Sequence, residues 1–146
     1  MLIASDHGGL ELKQVLVDYL QSRGIEVEDL GVHAADSVDY PDYAALVAQP
    51  ISSGCAKEGI LVCGTGIGMS IAANKYPGVR AALVHDEFTA QMAREHNNAN
   101  ILVLGGRVLK PEAARRMVEV WLDGKFEGGR HQNRLDKIIQ LGEVVD

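Results

Sequence analysis

The sequence has few of the residues that define several protein classes. It holds only two cysteines, Cys55 and Cys63, and neither has companions at zinc-ligand spacing, so neither a disulfide framework nor a structural zinc site is expected. No apolar run approaches the roughly 20 residues that cross a bilayer, and residues 1–6 lack the basic start of a signal peptide. We therefore expect reduced thiols, no membrane partner and a cytoplasmic location.

Positive charge is also scarce. The chain has 14 Lys and Arg against 20 Asp and Glu, a net charge of −6, which argues against a general nucleic-acid-binding surface. Its 146 residues, 47% of them apolar and 23% charged, predict a single globular domain over 1–146 with a substantial core. An anionic small molecule would need a local cluster of arginines, and Arg130 and Arg134 supply one.

A glycine-rich loop is the most informative stretch. Cys63-Gly64-Thr65-Gly66-Ile67-Gly68 follows the apolar run 59–62 and precedes the helix-like segment 69–74, an order that predicts strand, loop and helix. Alternating glycines let the backbone turn tightly and point several N–H groups at one place, an arrangement that binds negative oxygen. A neighbouring helix N-terminus stabilises a thiolate, so Cys63 is a candidate base or nucleophile.

The loop fits poorly to better-known glycine motifs. The third glycine of a dinucleotide loop would fall on Met69, and no lysine of a Walker A loop is present. The arginine of a cysteine phosphatase would also fall on Met69. A purely structural turn remains an alternative, as does a Cys63 that serves only as a small buried hydrophobic residue.

Short apolar segments alternate with helical patterns along the chain. The predicted strands are 2–5, 25–30, 59–62, 79–84 and 101–104. The predicted helices are 10–21, 41–53, 69–74, one from Asp86 or Thr89 to about 96–98, 110–122 and 130–141. The alternation predicts an α/β fold, a three-layer αβα sandwich with a five-stranded parallel sheet in the Rossmann-like or flavodoxin-like order 2-1-3-4-5.

Polar residues follow the predicted strands, at the sheet edge where α/β proteins bind ligands. The predicted strand order places the first and third loops side by side, so we expect Asp6, His7 and Cys63 in one cleft. Asp6 is also suited to cap the first helix, and His96 to complement a helix C-terminus.

The late arginines and the histidines each have two interpretations. Arg130 and Arg134 lie one helical turn apart, which suits a phosphate clamp. A solvated basic face that includes Lys137 is the alternative. The histidines show no metal spacing, so we expect no metal site.

Several motifs in order resemble the ribose-5-phosphate isomerase B family, in the wider group that includes galactose- and allose-6-phosphate isomerases. The resemblance covers essentially the whole chain. The motifs are SDHGG at 5–9, DYPDYA at 39–44, CGTGIG at 63–68, ANK at 73–75, REHNNAN at 94–100, GGR at 105–107 and EGGRH at 127–131.

The resemblance implies an aldose–ketose isomerase that interconverts ribose 5-phosphate and ribulose 5-phosphate through a cis-enediolate, without metal or cofactor. Cys63 would be the base, and His96 would open the furanose ring with Asp6 assisting. The enediolate oxygens would be held by Thr65 and the amides of Gly64, Gly66, Ile67 and Gly68. The phosphate and pocket residues would be His7, Arg130, Arg134, Tyr40, Asn97 and Arg107.

The resemblance also implies a homodimer, or a dimer of dimers, with active sites shared between subunits. We expect the part of the site from His96 to Arg107 to come from the partner chain, and the C-terminal helix to pack on a partner subunit. Some relatives lack the cysteine and use a glutamate base where this chain has Met69. Methionine cannot take a proton, so here the task would fall to Cys63.

Three other functions stay open. One extra carbon in a substrate discriminates by only about 1–3 kcal/mol, so a six-carbon allose or galactose 6-phosphate is an alternative substrate. A non-catalytic sugar-phosphate sensor on the same fold is a second alternative. A cysteine hydrolase with a covalent intermediate is the third, and it would need a histidine such as His96 within reach of the thiol.

Overall fold

The computed structural model describes residues 1–141, which form one parallel sheet flanked by helices. The strands are β1 (Leu2–Ser5), β2 (Glu28–Asp29), β3 (Gly59–Cys63), β4 (Ala81–Leu83) and β5 (Ile101–Gly105). The helices are α1 (Leu10–Ser22), α2 (Tyr40–Ser52), α3 (Ile67–Ala73), α4 (Glu87–Glu95), α5 (Pro111–Asp123) and α6 (Arg130–Gln140). A 3₁₀ turn at His7–Gly9 precedes α1.

Successive residues of the central strands point to opposite faces of the sheet, and each face carries its own core. Ile60 and Val62 pack with buried residues of α1, α4 and α5. Leu61 and Cys63 pack on the other face with α2 and α3. The predicted three-layer αβα sandwich with a five-stranded parallel sheet is therefore confirmed.

The predicted strand order 2-1-3-4-5 differs from the structure at one end of the sheet. The observed order is β2-β1-β3-β5-β4, so β5 lies beside β3 and β4 forms the edge. All five residues of β5 are buried, whereas the three residues of β4 are only half-buried. A continuous apolar strand gains most from a neighbour on each side, and the shorter β4 takes the exposed position.

Local capping agrees with the predicted helix boundaries. Asp6 accepts a hydrogen bond from the Gly9 backbone N–H at 3.1 Å, so it caps the 3₁₀ turn at His7–Gly9 and not α1 itself, whose N-cap is Gly9. Asp86 accepts from the Thr89 backbone N–H at 2.7 Å in a capping box, which starts α4 at Glu87. In the part of the chain from 1 to 141, no helix has the length and apolar character needed to cross a membrane.

One buried cation ties α1 to the edge of the sheet. Lys13 is 1% exposed, and its Nζ donates to Asp29 Oδ1 at 2.6 Å and to the Val32 carbonyl at 2.7 Å. The sequence analysis assigned Lys13 no role. The contacts anchor β2 and the segment after it against β1, next to the loop that carries Asp6.

Replacing Lys13 by alanine is expected to destabilise the fold by about 3 kcal/mol, because a buried pair that loses one partner leaves the other charge uncompensated. Urea unfolding measures the change. The control is Lys110→Ala, at an exposed lysine whose side chain makes no cap hydrogen bond, with an expected change within about 0.5 kcal/mol. Equal effects of the two substitutions would contradict this structural role.

Candidate active site

The loops after β1, β3 and β5 meet at the carboxyl edge of the sheet, which here means the side on which the parallel strands end. Ser5 pairs with Val62 and Cys63 pairs with Gly105, so the residues that follow these strands are neighbours. The predicted proximity of Asp6 and Cys63 follows from this pairing, since the Asp6 N–H donates to the Val62 carbonyl at 3.2 Å. Two shallow depressions on the outer helices, between α1 and α5 and between α4 and α5, contain none of the predicted site residues.

Cys63 ends β3 with its thiol turned into the glycine loop. The residue is 5% exposed, and its Sγ accepts a hydrogen bond from the Gly66 backbone N–H at 3.1 Å. Gly66 has φ +80°, and a Cβ there would lie 2.5 Å from Leu83 Cδ1. Only glycine therefore fits the turn that aims this N–H at the sulfur.

The same loop offers further donors. The Ile67 N–H donates to Thr65 Oγ1 at 3.3 Å, which orients an exposed hydroxyl beside the thiol. The backbone N–H groups of Gly64 and Thr65 donate to no residue within 1–141. The loop thus presents unused N–H groups next to Cys63, as an anion-binding loop requires.

Tyr40 borders the loop from α2. A Cβ on Gly68 would lie 2.5 Å from Tyr40 Cζ, so glycine at position 68 is what lets the ring approach. Tyr40 remains 40% exposed. Its ring therefore lies against the glycine loop and is partly open to solvent.

His7 has a defined tautomer. Its Nδ1 accepts a hydrogen bond from the Val38 backbone N–H at 3.2 Å. A neutral imidazole that accepts at Nδ1 carries its proton on Nε2, which leaves Nε2 as a donor at the carboxyl edge.

Arg107 belongs to this loop cluster in the same chain. Its backbone N–H donates to the Gly64 carbonyl at 2.9 Å, and its Nη1 would lie 3.2 Å from a Cβ on Gly64. The expectation that Arg107 reaches the site from the partner chain is therefore wrong. The cause is the strand order, because β5 beside β3 brings the residue after Gly106 onto the cysteine loop.

His96 lies at the amino edge of the sheet, the side on which the parallel strands begin. It follows α4, two residues after Arg94, whose Nη2 contacts Glu58 Oε1 at 2.6 Å immediately before β3 begins. Cys63 is at the far end of β3, about 13 Å along the strand. The His96 side chain therefore cannot activate the thiol of its own chain, which removes the base that a cysteine hydrolase would need within one subunit.

The predicted phosphate residues of α6 accompany His96. Glu127 donates its backbone N–H to the Glu95 carbonyl at 3.0 Å, so α6 begins beside the end of α4. Arg130 and Arg134 are exposed there, and Asn97 is exposed next to His96. A single chain thus divides the predicted site into two sets of residues at opposite edges.

His96, Glu127 and His131 form a cluster whose chemistry resembles a metal-ligand set. Glu127 Oε2 lies 3.3 Å from His131 Nε2 and 3.9 Å from His96 Nε2. The two imidazole rings, however, are stacked at 3.9 Å with an interplanar angle of 16°. Lone pairs in nearly parallel, stacked ring planes cannot converge on one ion, so this arrangement does not suit zinc.

The cluster was missed as a functional feature by the sequence analysis, which quoted Glu127 and His131 only within a motif. The sequence does contain one indication of this cluster, on the buried face of α6. His131 and Leu135 are four residues apart, and both are buried on one face of α6. A histidine on the apolar face of a helix indicates a specific packing role.

His131 is expected to make stability depend on pH. Burial, and secondarily the charges of His96 and Arg130, hold the pKa of His131 below its usual value. At a pH near 6.5 the histidine therefore binds a proton in the unfolded chain more readily than in the folded chain. The free energy of unfolding then rises as the pH rises through this range. Urea unfolding between about pH 5.5 and 7.5 should give a shallower slope for His131→Phe than for the wild type. Parallel slopes would contradict the assignment.

Met69 is the position at which the family resemblance implies a glutamate base in some relatives. It is 0% exposed and packs in the α2–α3 core. This position is part of the core in the present chain and offers no proton acceptor.

Comparison with known proteins agrees with the motifs. The family model described as Ribose/Galactose Isomerase matches residues 1–138. Ribose-5-phosphate isomerase B of Escherichia coli (strain K12) is 46% identical over 136 residues, which cover 93% of this chain and 91% of that protein.

Two solved structures are similar over nearly the whole chain. Ribose-5-phosphate isomerase B of Clostridium thermocellum has a TM-score of 0.94 and 51% identity, and the match covers 96% of this chain and 95% of that one. The Mycoplasma genitalium enzyme, crystallised with bound ribulose-5-phosphate, has a TM-score of 0.94 and 46% identity, and the match covers 99% and 96% of the two chains.

Proposed function

The chain belongs to the ribose/galactose isomerase family, and we propose that it interconverts ribose 5-phosphate and ribulose 5-phosphate, with Cys63 as the base. The observation that carries the proposal is the buried thiol that receives an N–H hydrogen bond at the entrance of a loop with unused donors. A cysteine thiolate can take a proton from carbon, and free N–H groups beside it can stabilise the negative charge that develops on the substrate oxygens.

The reaction requires one proton to move between neighbouring carbons. The Cys63 thiolate removes the proton from C2 of the open-chain aldose, and the electron pair forms the C1=C2 double bond while O1 becomes an oxyanion. The thiol then returns a proton to C1, and the hydrogen on O2 passes to O1 as the C2 carbonyl forms. No electron leaves the substrate, so the step needs no redox partner.

The glycine loop stabilises the cis-enediolate in this proposal. Donors that are already in place where charge develops contribute about 10²–10³ in rate each. Gly64 and Thr65 have unused N–H groups within the described part of the chain. The proposal also includes Gly66, Ile67 and Gly68, where the N–H groups of Gly66 and Ile67 must turn from Cys63 Sγ and Thr65 Oγ1 to the enediolate.

Ring opening and phosphate binding need residues from both edges of the sheet. His96, assisted by Asp6 at the ring oxygen, opens the furanose ring. The phosphate is held by His7, Arg130 and Arg134, and the pocket is lined by Tyr40, Asn97 and Arg107. Because His96 and the start of α6 lie beyond the end of β3 opposite to Cys63, and β3 is about 13 Å long, one chain alone does not assemble this set.

We therefore propose a homodimer, or a dimer of dimers, in which the amino edge of one subunit meets the carboxyl edge of the other. Exposed apolar side chains on and after α6 support packing of this helix on the partner, namely Ile138, Ile139 and Leu141. A cyclic dimer of this kind forms two equivalent shared sites.

The competing functions receive less support. A sugar-phosphate sensor has no use for a thiol held as a base, and a free catalytic thiol fits a reducing compartment such as the cytosol, where we propose that the enzyme works. Six-carbon aldose 6-phosphates remain the alternative substrates, since the paired arginines bind the phosphate of either sugar.

Parallel turnover assays test the proposal. Ribose 5-phosphate, allose 6-phosphate and galactose 6-phosphate are supplied separately to the wild-type protein with a chelator present. We expect ribulose 5-phosphate to form with the highest kcat/KM. A preference for a six-carbon sugar would retain the mechanism and overturn the substrate, and no turnover of any of them would favour the sensor.

A further inference from the structure

In the cluster of His96, Glu127 and His131, a buried histidine ring supports a partly exposed one. The His131 ring is stacked on the His96 ring at 3.9 Å. His131 is 4% exposed, whereas the side chain of His96 is 34% exposed. One ring is therefore held inside the protein, and the other lies on top of it with one face accessible.

The backbone holds the buried ring in place. The His131 N–H donates to the Gly128 carbonyl at 3.0 Å, and the Glu127 N–H donates to the Glu95 carbonyl at 3.0 Å. Leu135, one turn further along α6, is buried beside it. The bond from Glu127 to Glu95 joins the start of α6 to the end of α4 and places the His131 ring under His96.

The charges around the rings favour one arrangement of protons. The groups that face His131 are His96, Glu127, Arg130 and Arg134, and burial is the main cause that lowers the His131 pKa. The lowered pKa favours the neutral form of His131, whose buried Nε2 makes no hydrogen bond of good geometry within residues 1–141. Glu127 Oε2 lies 3.3 Å from His131 Nε2 and 3.9 Å from His96 Nε2, so the carboxylate faces both nitrogens and favours a hydrogen on each.

Resting on the proposed function, we propose that His131 and Glu127 are positioning residues for ring opening. His131 sets the plane of the His96 ring by stacking, and Glu127 keeps the hydrogen on His96 Nε2. A neutral imidazole has one N–H and one acceptor nitrogen, so Nδ1 is the atom that takes the proton of the ring hydroxyl. As the bond between C1 and the ring oxygen O4 breaks, C1 becomes the aldehyde and the imidazolium of His96 gives a proton to O4, which becomes the C4 hydroxyl, so His96 returns to its neutral form.

The test separates ring opening from proton transfer at carbon. Ribulose 5-phosphate cannot close to a furanose, because its C5 oxygen carries the phosphate. Exchange of its C1 hydrogen with D₂O therefore needs the thiol and the glycine loop but not ring opening. Turnover of ribose 5-phosphate needs both steps.

Three variants probe the cluster at saturating substrate. His131→Ala removes the stacked ring, His131→Phe keeps a flat ring without nitrogens, and Glu127→Gln removes only the charge. We expect His131→Ala to lower turnover of ribose 5-phosphate about tenfold, since small misplacement of a catalytic group is costly, while C1 exchange changes by less than about twofold. His131→Phe should restore most of the turnover.

Glu127→Gln should lower turnover of ribose 5-phosphate by a few-fold without affecting C1 exchange. In ¹⁵N NMR spectra recorded at neutral pH, Glu127→Gln should also reduce the fraction of His96 side chains that carry their hydrogen on Nε2. The Glu127 side chain is 52% exposed, so this variant tests the inference even if His131→Ala does not fold.

Equal losses of turnover and exchange would assign the cluster a merely structural role and overturn the inference. Unchanged turnover in His131→Ala or in Glu127→Gln would overturn it as well. If the wild type shows neither turnover nor C1 exchange, the proposed function fails. A wild type that shows both turnover and C1 exchange, with variants that do not behave as expected, would instead overturn only the inference about His131 and Glu127.

Discussion

Replacing Cys63 by alanine is expected to lower turnover of ribose 5-phosphate about 10³-fold, within the range that a general base contributes. The structure provides the reason. Cys63 is the group at the carboxyl edge whose sulfur receives the Gly66 N–H at 3.1 Å, and the nearby position 69 holds a buried methionine that cannot replace it. Alanine leaves the backbone donors of the loop in place, so substrate binding should change far less than kcat.

Cys55→Ala is the matched control. Cys55 is an exposed free cysteine, whereas Cys63 is a buried one, and we expect the control to retain wild-type turnover. Thermal unfolding of both variants separates loss of the base from loss of the fold. Turnover by folded Cys63→Ala at the wild-type rate would contradict the assignment of the base.

Two inactive variants are expected to restore activity when their subunits are mixed. Cys63→Ala lacks the base, and His96→Asn should lose about 10²-fold in turnover because ring opening is uncatalysed. The two residues lie at opposite edges of one chain, so a mixed dimer has one site with both groups intact. Random exchange of subunits should recover about a quarter of wild-type activity, since half of the dimers are mixed and each has one complete site.

The complementation is measured after partial unfolding and refolding of an equimolar mixture, with each variant refolded alone as a control. Double variant Cys63→Ala/His96→Asn mixed with Cys63→Ala should stay inactive. Failure of the single variants to complement, although mixed dimers form, would show that the two residues do not share a site across the subunit interface.

The general architecture could be predicted from the sequence because it depends on local patterns. Short apolar runs alternate with helical periodicity, and glycines and prolines mark the boundaries. The glycine loop was recognised because Cys63, Gly64, Gly66 and Gly68 follow a strand directly. The predicted pairing of β1 with β3 placed Asp6 near Cys63, as the structure does.

The order of β4 and β5 could not be read from local patterns, since it depends on which strand gains more from central burial. Both segments are apolar, and the difference lies in the length of the buried run. The observed order places Arg107 beside the Cys63 loop of its own chain, a contact that the predicted order does not give.

Long-range polar contacts were beyond sequence analysis for a related reason. A lysine at position 13 of an amphipathic helix is normally exposed, and only the three-dimensional position of Asp29 and Val32 makes it a buried anchor. The stack of His131 on His96 likewise joins two helices separated by more than thirty residues of sequence.

Proton exchange at C1 of ribulose 5-phosphate tests the central claim most directly. The wild-type protein is incubated with ribulose 5-phosphate in D₂O with a chelator, and the C1 hydrogens are followed by ¹H NMR. A single thiol base on one face of a cis-enediolate predicts that one of the two C1 hydrogens is replaced by deuterium and the other is retained. Exchange of both C1 hydrogens at equal rates, or exchange at the wild-type rate in folded Cys63→Ala, would contradict it.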